Sequence, residues 1–169
     1  AGTADELALQ FYREHNLLYF TAVIDEAGDE TWTSILEQSY ENGEMEYFAM
    51  VNDKKDSKIE VMKRELARRA ARDGKTEFFA ILSSELTEEE LGACALEAYE
   101  GENMEIFYMA ATGLNSQQAD LIAEQAYEAD RTEYIFAVIP RMSEEQRNAL
   151  RAREKKDGRD ELGSVLLRR

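Results

Sequence analysis

The chain has 169 residues, enough to bury one hydrophobic core, and 44% of them are apolar, which excludes a disordered polyelectrolyte despite a formal net charge of −16. That charge excludes nucleic acid or an anionic membrane as the partner of the surface as a whole, and no apolar run reaches the length of a membrane span. A lone cysteine, Cys94, excludes an internal disulfide and a multi-cysteine metal site, so the expected compartment is the cytoplasm.

In chain order the sequence reads as one unit written repeatedly. The first unit ends near residue 24, with Tyr12, a turn around His15, and the apolar run "LLYFTAVI" (17–24). The second, ending near 51, repeats the order with Tyr40, Gly43 and "MEYFAMV" (45–51). The third, ending near 82, carries the basic segment "KKDSKIEVMKRELARRAARDGK" (54–75) and then "TEFFAIL" (76–82). In the fourth, ending near 111, Thr87 and Glu90 form a capping box that starts a helix. Its apolar stripe is Leu91, Cys94, Ala95 and Ala98, closed by Tyr99 and followed by "MEIFYMAA" (104–111). The fifth, ending near 139, has a looser cap at Asn115 and Gln118, the stripe Ala119, Ile122, Ala123, Ala126 and Tyr127, and the run "TEYIFAVI" (132–139). A degenerate sixth unit spans 140–169: Ser143 and Gln146 cap its helix, and Gly163 replaces the aromatic residue.

Phe20, Phe48, Phe79, Phe107 and Ile135 mark the register, separated by 28, 31, 28 and 28 residues. The five apolar runs are short, aromatic-rich and nearly continuous, which suits strands covered on both faces. Short connections between a strand, a helix and the next strand give parallel strands with right-handed crossovers. The expected fold class is therefore α/β: tandem helix–strand repeats of about 28 residues, five clear and a sixth degenerate, in a mainly parallel sheet with helices packed on it. The expectation is a solenoid-like single domain over residues 1–169.

In such a sheet Tyr19, Tyr47, Phe78 and Tyr134 share one face with Tyr108, and that aromatic face needs a cover, either a second copy in a homodimer or a protein partner. Glu46, Glu77, Glu105 and Glu133 recur one position before the aromatic pair, and adjacent strands would hold them about 5 Å apart. Such a column suits basic side chains of a partner, a cation, or an acid–base pair. These nine residues are the partner-binding candidates.

Charge is laid out in blocks. Residues 1–53 carry a net −11, 54–75 a net +5, 85–133 a net −12 and 141–169 a net +3. The basic block is expected to pair with its acidic neighbours, through Lys63, Arg64, Arg68 and Arg69. His15 has no partner nearby in sequence, nothing basic stands near Cys94, and "DEAGDE" (25–30) lacks the alternating ligands of a calcium loop. Gly113, in "ATGLNS", stands before a helix start where free amides could hold an anion. No catalytic residue, metal-ligand set or cofactor is expected. The leading functional expectation is a non-enzymatic, acidic protein–protein interaction module. The alternative is an acidic nucleic-acid mimic that inhibits a DNA-binding protein, and a further alternative is a carboxylate- or metal-dependent enzyme.

Overall fold

The computed structural model describes residues 2–166, and the regular elements among them are all helical. The last three residues of the sixth unit, 167–169, lie outside the described residues. Long and short helices alternate. They are α1 (Gly2–Arg13) and α2 (Leu17–Val23), α3 (Asp29–Asn42) and α4 (Met45–Asn52), and α5 (Ser57–Asp73) and α6 (Thr76–Ser83). Then come α7 (Glu88–Glu100) and α8 (Met104–Ala110), α9 (Ser116–Glu128) and α10 (Thr132–Val138), and α11 (Glu144–Asp157) and α12 (Gly163–Leu166). The repeat is thus a helical hairpin. The α/β expectation of helix–strand repeats in a parallel sheet is overturned: the five apolar runs are α2, α4, α6, α8 and α10, and no strand occurs among the described residues.

The physical reason lies in which residues of each run are buried. An apolar run of seven or eight residues suits a strand or a short buried helix equally well by composition. In α4 the buried apolar residues are Tyr47, Phe48 and Val51, in α6 Phe78, Phe79 and Leu82, and in α10 Tyr134, Ile135 and Val138. The spacing i, i+1, i+4 is one face of a helix, whereas a strand would send i and i+1 to opposite faces. Phe20, Phe48, Phe79, Phe107 and Ile135 are all core residues, each at most 1% exposed, but they stand at the equivalent position of successive short helices and not in a row across a parallel sheet.

The link inside each hairpin explains why no strand has room to form. His15, Gly43, Gly74, Glu102, Asp130 and Gly158 stand at equivalent positions, and all six have positive φ, between 57° and 77°. The residue after each of five of them returns its N–H to the carbonyl five positions back: Asn16 to Phe11, Glu44 to Ser39, Asn103 to Ala98, Arg131 to Ala126 and Arg159 to Glu154. This is a Schellman closure, which ends the long helix and leaves the next residue as the cap of the short one. Of the glycines that stand between a long helix and the next short one, Gly43 and Gly74 occupy the left-handed position. Gly101 does not; a Cβ there would collide with the carbonyl of Arg72.

The chain divides into two compact units, Ala1–Ala70 with Glu77–Ser84, and Ala71–Thr76 with Glu85–Arg169. In the first, the ring of Tyr47 packs edge-on against Tyr12 and Phe20, at 5.2 and 4.9 Å between centres, and Phe78 packs likewise on Tyr40 and Phe48. In the second, Tyr134 meets Tyr99 and Phe107, both at 5.0 Å. Three joints within the units therefore repeat one motif, an aromatic of the later short helix resting on a Tyr and a Phe of the earlier hairpin. Such ring pairs contribute about 0.5–1.5 kcal/mol each beyond the area they bury. No described helix is long and apolar enough to cross a membrane.

Candidate functional site

Several charged groups are engaged where one hairpin meets the next. The left-handed residue of one hairpin faces the residue that follows the left-handed position of the next: His15 Nδ1 lies 3.2 Å from Glu44, and Asp130 lies 2.8 Å from Arg159. His15 thus has a carboxylate partner that lies far from it in sequence. Glu44 also accepts a 2.5 Å hydrogen bond from the Tyr12 hydroxyl. Burial and that bond push the Tyr12 pKa up to about 12. At the equivalent place in the second unit the Tyr127 hydroxyl donates to Asp157 at 2.7 Å, and burial, then this bond, raises its pKa. The Arg131 guanidinium sits over both Tyr99 and Tyr134, 4.4 and 4.3 Å from the ring centres. Burial is also the leading cause that raises the Tyr47 and Tyr99 pKa values.

The long helices are tied in a second way. The Asp5 carboxylate accepts from the Gly28 amide at 2.7 Å and the Thr31 hydroxyl at 2.8 Å, and these bonds hold its pKa below the ordinary carboxylate value. Asp120, at the same repeat position, accepts from the amide and hydroxyl of Ser143. The fourth repeat carries Gly92 there, and a Cβ on it would lie 2.6 Å from the Gly113 carbonyl. Gly113 therefore serves a close backbone approach, packed between Leu91 and Gly92.

The acidic loop 25–30 is met by cations from the next hairpin: Asp25 pairs with Lys54, and Asp29 lies 3.4 Å from Lys58. Within α5 the partners are mixed. Arg69 reaches Glu41 of α3 at 3.5 Å and Arg72 reaches Glu97 of α7 at 2.8 Å, while the buried Lys63 lies 3.5 Å from Glu60 of its own helix. Arg64 and Arg68 are exposed. Cys94 is buried on the inner stripe of α7.

The nine partner-binding candidates fall into three groups. Tyr47, Phe78 and Tyr134 are core residues of the joints just described. Glu46, Glu77, Glu105 and Glu133 are exposed, each in the first turn of a short helix, where a negative charge faces the positive end of the helix dipole. The sheet ladder with its spacing of about 5 Å does not exist; neighbouring packed helices stand about 8–10 Å apart. Tyr19 and Tyr108 are exposed. Tyr108 on α8 is 52% exposed, and Phe136, which stands 28 residues later at the same position of the neighbouring α10, is 40% exposed. Phe136 was not among the candidates, yet its column carried the signal: Thr21, Ala49, Ala80, Tyr108, Phe136, small or polar three times and then aromatic twice.

Among the described residues no group of three or more His, Cys, Asp or Glu side chains is placed to hold a metal ion. Comparison with protein-family models, with curated proteins and with solved structures found no match.

Proposed function

We propose that this chain is a non-enzymatic, acidic protein–protein interaction module that works in the cytoplasm and takes its partner on the short-helix face of the second unit. The observation that carries this reading is the adjacent exposed pair Tyr108 and Phe136, with Met109 beside them. Aromatic side chains exposed at two successive copies of an otherwise small or polar column contribute nothing to the joints and cost solubility. Glu105 and Glu133 stand on the same two helices, also exposed. An apolar patch with an acidic border suits a partner helix with an apolar face and a basic flank. The nucleic-acid-mimic alternative needs open rows of carboxylates, and the ion pairs of Asp29, Glu97, Glu124 and Asp130 with Lys or Arg of neighbouring hairpins weigh against it.

The test is affinity capture from cytoplasmic extract with the parent chain and with the double variant Tyr108→Ser/Phe136→Ser. Both side chains are at least 40% exposed, so the double variant is expected to keep the helical fold, which its circular dichroism spectrum checks. The reading expects proteins retained by the parent and lost from the variant. Identical capture by both chains would remove this face from the function.

A further inference from the structure

Three departures from the repeat converge on one place in the first unit, between α3 and α5. Asp5 and Asp120 tie their helices to the start of the following long helix, but the second hairpin carries Thr33 at that position. The Thr33 hydroxyl turns back to the Glu30 carbonyl of its own helix, at 3.0 Å. α5 also starts three residues early, with Ser57, Lys58 and Ile59 standing before Glu60, the residue that matches the first of α3. The third departure is apolar. Where the other long helices carry Glu30, Glu89, Gln117 and Glu145, α5 has Val61, 58% exposed, and Met62 beside it matches Thr31 and Glu90. A groove of about 340 Å³ lies there, lined by Thr33, Ser57, Lys58, Val61, Met62 and Glu65.

The stripe that borders the groove has changed its charge as well. Lys58, Val61, Glu65 and Arg68 follow one another at spacings of three, four and three residues, so they share one face of α5. Lys58 and Arg68 are both exposed. At the place of Arg68 the other long helices carry Leu9, Glu37, Leu96, Glu124 and Ala152, which makes Arg68 the single cation of its column. Lys58 stands 3.4 Å from Asp29 in a pair whose side chains are 55% and 38% exposed. An incoming carboxylate can take the place of such a solvated partner.

We propose that this groove docks a short acidic segment of a partner protein, with a bulky apolar side chain against Val61 and Met62 and carboxylates on Lys58 and Arg68. An apolar floor beside cations is complementary to such a segment in both shape and charge. A basic segment would meet like charges. A nucleic acid would use the cations but leave Val61 and Met62 without an apolar partner. The groove lies in the other unit from Tyr108 and Phe136 and has the opposite charge preference, so it stands independently of that patch.

The experiment selects peptides from a random library displayed on phage, with the immobilised Tyr108→Ser/Phe136→Ser chain as bait so that the short-helix face cannot contribute. Recovered peptides are synthesised, and fluorescence anisotropy measures their affinity for that chain and for the same chain with Val61→Gln or Arg68→Glu added. Both substitutions install residues that other long helices carry at those places, so α5 tolerates them, and circular dichroism checks the helix content. The expected peptides are rich in Asp and Glu around at least one Leu, Ile, Phe or Trp. Each substitution should weaken them by about tenfold or more. Recovery of no peptide, peptides without an acidic excess, or affinities that neither substitution moves would each overturn the proposal. So would a labelled single-stranded RNA that binds the bait and loses affinity with Arg68→Glu but not with Val61→Gln. A parent chain that sediments at twice the mass of Val61→Gln would overturn it too, by giving the groove to a second copy.

Discussion

The hydroxyl of Tyr12 donates to the carboxylate of Glu44 at 2.5 Å, across 32 residues, and so fastens the last turn of α1 to the residue that precedes α4. Removing only the oxygen, in Tyr12→Phe, keeps the ring on Tyr47 and leaves a partly buried carboxylate short of one donor. A hydrogen bond to a charged group contributes about 1.5–3 kcal/mol, and because His15 still faces Glu44 we expect a loss near the lower end of that range. Urea denaturation of the variant and parent measures it; a shift too small to resolve would show that the bond is not a structural tie.

The same bond fixes the alkaline behaviour. Tyr12 has its pKa raised from 10.0 to about 12, so the folded chain holds this proton at a pH where the unfolded chain has lost it. The stability from Tyr12 is complete below pH 10 and falls as pH climbs from there towards 12. Tyr12→Phe should therefore lose less stability over that interval than the parent, with Tyr47, Tyr99 and Tyr127 supplying what dependence remains. Denaturation midpoints at a series of alkaline pH values check the difference.

Acid acts at the other end of the first hairpin. Asp5 has a lowered pKa because it accepts from Gly28 and Thr31, so its contribution is present above the unfolded value and disappears as pH falls through the folded one. In the parent, the protection of amides at the start of α3 from hydrogen exchange, taken relative to the intrinsic rate at each pH, should fall across that acid range. Asp5→Asn should exchange faster at neutral pH and show a flatter acid response. Equal pH profiles for the two proteins would remove Asp5 from the joint.

Two glycines separate the cost of overlap from the cost of backbone conformation. A Cβ on Gly113 would lie 2.5 Å from Leu91 Cβ and 2.6 Å from the Gly92 nitrogen, and overpacking of this kind costs about 1–3 kcal/mol. A Cβ on Gly43 meets nothing within 4 Å, so Gly43→Ala carries only the strain of a left-handed alanine, about 1 kcal/mol. The melting temperature of Gly113→Ala should fall further than that of Gly43→Ala. The reverse order would show that the approach of the Gly113 turn to α7 is loose.

Several features of the fold were open to reading before any coordinates. The caps at Thr87, Asn115 and Ser143 start α7, α9 and α11 as written, because a side chain and a backbone amide three residues on are purely local partners. The spacing of Phe20, Phe48, Phe79, Phe107 and Ile135 carries the repeat length and marks a core position in each of five units. The strand assignment failed because it weighed the composition of each run and not the variation down its columns. The positions that stay large, Tyr47, Phe48 and Val51 with their counterparts, follow the i, i+1, i+4 spacing of a helix. The positions between them wander from Thr21 and Ala22 to Tyr108 and Met109, as solvent-facing positions do. Pairings such as His15 with Glu44 could not be read locally, since they depend on how two hairpins stack.

The hydrogen bonds and ion pairs between hairpins described above close loops of about one repeat, from 23 residues between Asp5 and Gly28 to 32 between Tyr12 and Glu44. Closure entropy grows only with the logarithm of loop length, so each joint costs the chain nearly the same to form. Contacts this local in sequence belong to the fast-folding helical class, and no distant segment must be found before the first pair of hairpins docks. A nascent chain with this wiring can lay down the α1–α4 core as soon as residue 52 has cleared the ribosome.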